Sequence, residues 1–113
     1  MLPKKERLSR QEFNRFFSVG EKIHTPSLHI VYAPHASFHA SVVVSKKVAK
    51  LAVRRNKIRR RIYDIVRRYQ REKHTTGVFI FLTKSGIEKK TYPSIKEEVQ
   101  TSIDSINKKF NHA

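Results

Sequence analysis

The 113-residue chain contains no cysteine, no tryptophan and only three glycines. The absence of cysteine excludes disulfide scaffolds, thiolate zinc sites and thiol nucleophiles. No apolar run approaches the ~18 residues that a transmembrane helix needs, and the N-terminal residues have no apolar stretch typical of a secretory signal. We therefore expect one domain over residues 1–113, located in the cytoplasm, with no membrane contact and no disulfide partner.

Acidic side chains are also scarce, because 9 Asp and Glu stand against 25 Lys and Arg, a formal net charge of +16. Residues 46–73 hold 13 basic and two acidic side chains, so most of the net charge lies in a quarter of the chain. Eight of those 13 are arginines, whose planar guanidinium donates two parallel hydrogen bonds to a phosphate. A field of one sign favours a polyanionic partner, and nucleic acid is favoured over an anionic membrane surface.

The first helix is predicted from an N-terminal cap followed by aromatic residues. Ser9 and Glu12 are spaced as a capping box, and Gly20 supplies a C-terminal stop. The phenylalanines at 13, 16 and 17 follow helical spacing, so we expect a helix over residues 10–18. Three phenylalanines exceed the needs of one buried stripe, so at least one should face outward.

Three extended segments follow that helix. Residues 22–25 form a short extended piece, and the runs 28–33 and 38–45 are rich in β-forming residues. The short link 34–37 suits a hairpin loop, which predicts antiparallel pairing of the two longer strands.

The segment from Arg55 to Arg71 predicts an amphipathic helix. Its apolar residues form a stripe about 100° wide, namely Ile58, Ile62, Ile65, Val66 and Tyr69. Its basic residues project onto the opposite arc, namely Lys57, Arg60, Arg61, Arg67, Arg68 and Arg71. Each pair of like charges at these spacings destabilises the helix by roughly a few tenths of a kcal/mol. Bound phosphates would relieve that repulsion.

The C-terminal third predicts one more strand and one more helix. Residues 78–83 form a nearly continuous apolar strand, expected at the centre of the sheet. A polar loop over 84–90 follows, and Ser94 with Glu97 is spaced as a second capping box before an amphipathic helix ending near Phe110. The order of elements predicts a two-layer domain of helices and one sheet.

Catalytic patterns are weak by comparison. His35 and His39 have a spacing that binds metal when both lie on one helix, but here they flank the predicted loop. A metal-free nuclease using histidine and lysine remains a further alternative, although the histidines show no pairing in sequence. The charge pattern alone also allows a DNA-binding protein, but neither a small helical DNA-binding domain nor a zinc finger is indicated.

One stretch carries a family resemblance. Val44-Ser45-Lys46-Lys47, a short hydrophobic link, and Arg55-Asn56-Lys57 followed by Ile58-Arg59-Arg60 resemble the signature of the bacterial ribonuclease P protein component. Lys57 departs from that pattern, which has arginine there. The upstream residues Arg7-Leu8, Phe13, Phe17 and Gly20, and a strand with Leu28, Val31 and Tyr32, extend the resemblance over nearly the whole chain.

The resemblance implies an α+β two-layer sandwich of order αβββαβα, with a mostly antiparallel sheet and a left-handed βαβ crossover. Right-handed crossovers are the general rule, so residue patterns alone would predict the opposite hand. It also implies the protein subunit of a ribonucleoprotein endonuclease that removes the 5′ leader from precursor tRNA. The RNA subunit would carry the chemistry with Mg²⁺, which leaves the protein with no catalytic residue and no intrinsic cofactor.

Two RNA-binding surfaces are implied residue by residue. The RNA-subunit surface comprises the motif residues Arg55, Asn56, Lys57, Arg59 and Arg60, to which we add the neighbouring basic residues Arg54, Arg61, Arg67 and Arg68. The leader cleft comprises Phe13, Phe17, Tyr32, Lys46 and Lys47. The expected partners are the ribonuclease P RNA and precursor tRNA. A ribosomal-type or chaperone-type RNA-binding protein is the main alternative.

Overall fold

The computed structural model describes residues 2–110. The described residues form three helices and four strands: α1 (Arg10–Val19), β1 (Glu21–His24), β2 (Leu28–Ala33), β3 (Phe38–Val43), α2 (Ala52–Lys73), β4 (Gly77–Thr83) and α3 (Tyr92–Phe110). Single 3₁₀ turns lie at Lys4–Glu6 and Ile87–Lys89. This order confirms the predicted α+β class. No described helix has the length and apolarity to cross a bilayer.

The strands form one sheet in the order β1-β2-β4-β3. Strand β4 is central, as predicted, and two of the three pairings are antiparallel, while β3 and β4 run parallel. The predicted hairpin between β2 and β3 is wrong, because β4 lies between them. Four linking residues can span the ~9–10 Å across one intervening strand. The hand of the β3–α2–β4 connection stays a prediction.

Alternation along the strands divides the core into two layers. Leu28, Ile30 and Tyr32 of β2 point to the face covered by α2 and α3. Val31 and Ala33 point to the opposite face, where α1 packs. We call these the α2/α3 face and the α1 face. Strand β4 supplies buried side chains to both, which explains its continuous apolar sequence.

Helix α2 begins at Ala52, three residues before the predicted start. Leu51 occupies the N-cap without a side-chain hydrogen bond. The guanidinium of Arg55 instead donates to the carbonyl oxygens of Ala49 (3.0 Å) and Lys50 (2.7 Å), which ties the preceding loop to the helix. The predicted apolar stripe is buried. The helix ends at Lys73, and the capping residue His74 has a left-handed φ of 50°.

Tyr63 is buried beside that stripe, although the sequence pattern did not place it there. Its hydroxyl accepts a hydrogen bond of 3.0 Å from the backbone N–H of Val42 in β3. Strand β3 pairs with β4 alone, so the tyrosine satisfies a buried donor on the outer edge of the sheet.

Helix α3 starts at Tyr92 rather than after Ser94, so the second predicted capping box is wrong. The side chain of Thr91 caps the helix by accepting a 3.3 Å hydrogen bond from the Ser94 N–H. Pro93 then lies in the first turn, where its missing N–H costs no intrahelical bond. The first capping box, Ser9 with Glu12, is present with both of its hydrogen bonds.

Gly20 sets how closely α1 approaches β2. Its N–H bonds to the Phe16 carbonyl oxygen at 2.8 Å and ends the helix. A Cβ built on Gly20 would lie 2.5 Å from Val31 Cγ1 and 2.9 Å from the Tyr32 carbonyl oxygen. Because one of those obstacles is backbone, α1 would have to move away from the sheet to accept a side chain.

We predict that Gly20→Ala lowers the free energy of unfolding by about 1–3 kcal/mol, the usual cost of overpacking. Chemical denaturation measures the loss, and NMR shifts should change along α1 and β2. Gly86→Ala is the control: its φ of 97° makes an alanine strained there, whereas Gly20 has a φ of −73°, and a Cβ on Gly86 meets no atom within 4 Å. Equal shift changes at α1 for both variants would contradict the packing explanation.

Candidate nucleic-acid interface

Helix α2 presents its basic residues on the side away from the core. Six of the predicted RNA-subunit contacts are exposed, namely Arg54, Asn56, Lys57, Arg60, Arg67 and Arg68, and three are half-buried, namely Arg55, Arg59 and Arg61. The helix therefore brings all nine predicted residues onto one continuous element, and the exposed ones can reach a phosphate backbone.

Several of these side chains also have partners within the protein. Arg54 lies 3.4 Å from the Glu88 carboxylate, and Arg68 lies 3.4 Å from Asp64 one turn earlier. Both arginine side chains are at least 60% exposed. Exposed pairs of this kind contribute at most about 1 kcal/mol, so a phosphate can replace the carboxylate at little cost.

The half-buried arginines have structural contacts as well. Arg55 holds the loop before α2, as described above, and Arg59 donates a 2.6 Å hydrogen bond to the Asn56 side chain. Each guanidinium has five N–H donors, so these contacts leave donors available. The motif residues thus shape the start of α2 in addition to carrying charge.

A second surface begins at α1. Phe16 is buried against β2 and β4, whereas Phe13 and Phe17 are half-buried and pack at the border of the same cluster. Their rings stack with centroids 5.8 Å apart at 19°, and Lys22 Nζ lies 5.9 Å from the Phe17 ring. The expectation that at least one phenylalanine faces outward is met only in part, because Phe13 and Phe17 are half-buried rather than exposed. Their partly open rings can still stack with unpaired bases.

Tyr32 does not belong to this surface, so its predicted place in the cleft is wrong. It is 1% exposed and packs on the α2/α3 face against Phe79 and Phe110, with ring centroids 5.1 and 5.2 Å away. Strand geometry explains the difference, since adjacent residues point to opposite faces. Val31 therefore holds the corresponding position on the α1 face.

The α1 face has an open row that sequence reasoning missed. Strand register aligns His24, His29, Leu82 and Val43 across β1, β2, β4 and β3. The cluster beneath α1 consists of Val31, Ala33, Val78 and Ile80 in the other rows, with Leu82 at its margin. We call the four aligned residues the open row. The sequence signal was His29, a polar residue within the otherwise apolar strand β2, which indicates that this part of the α1 face is open to solvent.

Lys46 and Lys47 lie in the exposed turn just after β3. Because Val43 ends β3 in the open row, the two lysines follow the sheet at that same end. Their predicted association with the cleft stays a prediction.

Histidines 35 and 39 lie at the other end of the sheet. Both ring systems contact the Ser37 hydroxyl, at 3.2 Å for His35 Nδ1 and 2.9 Å for His39 Nε2. Within residues 2–110, no group of three or more His, Cys, Asp or Glu side chains is arranged to hold a metal ion.

The pKa of Glu12 is lowered, chiefly by its hydrogen bond from the Ser9 backbone in the capping box.

Comparison with known proteins points to one family. The sequence matches the family described as ribonuclease P over residues 2–107. It is 40% identical over 68 residues to the ribonuclease P protein component of Synechococcus elongatus, covering 54% of this chain and 56% of that protein. It is 28% identical over 101 residues to that of Syntrophomonas wolfei, covering 87% and 84%. The match to the first relative thus spans little more than half of its length.

Solved structures show the same fold. The ribonuclease P protein of Thermotoga maritima aligns with a TM-score of 0.75 at 20% identity, covering 85% of this chain and 93% of that chain. The protein from Staphylococcus aureus aligns with a TM-score of 0.73 at 18% identity, covering 89% and 94%.

The geometry of α2 predicts a salt-dependent interaction with folded RNA. Replacing Arg60 and Arg68 with alanine should reduce the slope of log affinity against log salt concentration by about 2, since each lost phosphate contact releases about one counterion fewer. Filter binding over a salt series measures the slope. The control is Lys4→Ala with Lys108→Ala, which removes the same charge from exposed sites outside α2. Equal slopes for the two double variants would place the interface elsewhere.

Proposed function

The chain belongs to the ribonuclease P protein family, and from that membership we propose that it is the protein subunit of a ribonucleoprotein that removes the 5′ leader from precursor tRNA. In this proposal the protein binds the RNA subunit and the single-stranded leader at two separate surfaces. The observation that carries it is the division of the molecule into a dense arginine surface on α2 and an aromatic surface beside α1.

The α2 surface suits a permanent RNA partner. Its basic residues extend over Arg54–Arg68. Because a helix rises about 1.5 Å per residue, these residues cover about 20 Å of the helix. That length can bridge several phosphates of a folded RNA. The exposed arginines are also close enough to repel one another, and phosphates would neutralise that repulsion on binding.

The surface beside α1 suits a transient single strand. Unpaired bases are typically bound by aromatic rings next to basic groups. Phe13 and Phe17 offer partly exposed rings, Lys22 adds charge beside them, and the open row gives a shallow floor. A duplex hides its bases within the stack, so this surface favours an unpaired leader over the tRNA body.

The division of labour follows from the chemistry of each partner. Cleavage of a phosphodiester is promoted by metal ions that stabilise the attacking and leaving oxygens, and we assign Mg²⁺ mainly to the phosphate oxygens of the partner RNA. This chain's own residues supply binding: cations that screen repulsion between two RNAs, and rings that hold the leader. We further propose that the complex is located in the cytoplasm and that the partners of this protein are the RNA subunit and precursor tRNA.

Reconstitution with the cognate RNA subunit tests this function. At low Mg²⁺ concentration, we expect the protein to increase cleavage of precursor tRNA at the leader junction, because it lowers the repulsion between substrate and RNA subunit. Gel analysis of the released leader measures the rate. Equal cleavage with and without protein would overturn the proposal, and RNA binding without enhanced cleavage would favour a ribosomal-type or chaperone-type role.

The leader surface has its own test in Phe17→Ala. Loss of one stacking ring costs about 1–3 kcal/mol per base, so affinity for precursor tRNA should fall while affinity for mature tRNA is unchanged. Binding of both RNAs to the reconstituted complex gives the comparison. Val19→Ala is the matched control, because Val19 lies on the same helix and is 71% exposed. An equal loss for both RNAs would indicate that Phe17 acts only in packing.

A further inference from the structure

Two histidines stack on each other in the open row. His24 of β1 and His29 of β2 are direct partners across the strand pair. Their imidazole centroids lie 4.2 Å apart with 20° between the ring planes. His24 is exposed and His29 is half-buried. The pair lies on the same face as α1, in the row next to Lys22, and the Lys22 ammonium lies 5.9 Å from the Phe17 ring.

The charged groups acting on this pair are basic. The pKa of His29 is lowered, first by burial and then by His24, Lys84 and Lys22. Lys84 follows β4 at the same end of the sheet, and its ammonium donates a 2.8 Å hydrogen bond to the Thr25 carbonyl oxygen. An ammonium has three donors, so that contact leaves two for another acceptor.

The acidic group in the adjoining turn is already engaged. Glu98 of α3 accepts hydrogen bonds from the Thr25 hydroxyl and from the Ser27 N–H, the latter at 2.8 Å. It also lies 3.9 Å from the Lys90 ammonium. Its charge is therefore directed to the turn between β1 and β2 and to α3, which leaves the histidine pair in a basic setting.

The Nε2 atom of the His29 ring explains why the free protein favours the neutral form of this histidine. Nε2 is buried and has no hydrogen-bond partner among residues 2–110. Both ring nitrogens donate when imidazole is protonated, and a buried donor without an acceptor destabilises that state. Because Nε2 is buried, an anion above the row would instead accept hydrogen bonds from the exposed His24 ring and from the lysines around it. Its negative charge would offset the cost of protonating His29.

We propose that His24 and His29, with Lys22 and Lys84, form a proton-linked phosphodiester-binding site for single-stranded RNA. The inference rests on the proposed function, because the site extends the leader surface from Phe17 towards the β1 edge of the sheet. Neutral histidines leave the site with two lysine charges, and protonation adds up to two more. Binding of phosphate and uptake of protons therefore strengthen each other.

The sign of the pH effect follows from linkage. A bound phosphate favours the charged imidazole and raises its pKa, so RNA affinity increases as the pH falls through the histidine range. A rise of one unit in one pKa corresponds to about tenfold in affinity between about pH 8 and about pH 5.5. Affinity that depends only on lysines would show no such change, since lysine stays charged over this range.

Binding of a short oligouridylate to the full-length protein tests the site. Uridine stacks weakly, so backbone contacts dominate, and ionic strength is held constant while the pH is varied with a chelator present. We expect affinity to rise about tenfold on acidification, and NMR titration should show higher pKa values for His24 and His29, but not His74, in the presence of the oligonucleotide. Unchanged pKa values for His24 and His29 would overturn the proposal without any variant.

Variants then separate the histidines from general charge. His24→Gln with His29→Gln should abolish the pH dependence, whereas Lys84→Gln should weaken binding at every pH and leave the dependence in place. His74→Asn is the matched control, because His74 is exposed and lies before the start of β4, at the opposite end of the sheet. A full pH dependence in the double histidine variant would overturn the site.

The same preparations distinguish this site from the proposed function. If the double histidine variant still enhances cleavage of precursor tRNA and its binding of oligouridylate keeps the same pH dependence, the proposed function is supported and the histidine site is rejected. If the unmodified protein does not enhance cleavage but binds oligouridylate with a pH dependence that the double variant lacks, the histidine site is supported and the proposed function is rejected.

Discussion

Strand β4 is apolar on both faces, and both faces have to be covered by other parts of a short chain. Helices α2 and α3 cover one face, and the 10-residue α1 covers part of the other. Burial of one large apolar side chain contributes about 1.5–3 kcal/mol, so this central strand organises the whole core. Because α1 is too short to cover its face completely, a row of the sheet remains open, and that row becomes a surface available to a ligand.

The same constraint separates the two candidate RNA surfaces. Helix α2 uses its apolar stripe to cover the sheet and presents its arginines to the other side, away from α1. Repulsion along those arginines destabilises the isolated protein slightly, and partners inside the protein, such as Asp64 beside Arg68, relieve only part of it. A strongly basic helix packed by its apolar face is therefore stable enough to fold and still suited to a polyanion.

The open row differs from the α2 surface in both composition and chemistry. Arginine charge is constant at every physiological pH, whereas histidine changes its charge near neutrality. A permanent RNA partner requires constant attraction, while a strand that has to leave after processing benefits from weaker, adjustable contacts. The stacking of His24 on His29 and the neighbouring lysines give this chain a means of adjusting the second surface without altering the first.

Local chemistry was sufficient to predict much of this architecture. The Ser9 capping box, the Gly20 stop, the α2 stripe and the central position of β4 follow from spacing and apolarity, which act over a few residues. Tertiary structure decided the rest: the insertion of β4 between β2 and β3, and the face on which each strand residue lies. Tyr32 and Val31 are neighbours in sequence with similar β propensity. Only the packing of α1 on one side and α3 on the other assigns Val31 to the α1 face and Tyr32 to the α2/α3 face. The open row likewise combines residues from four strands, so its existence depends on a register that no local pattern contains.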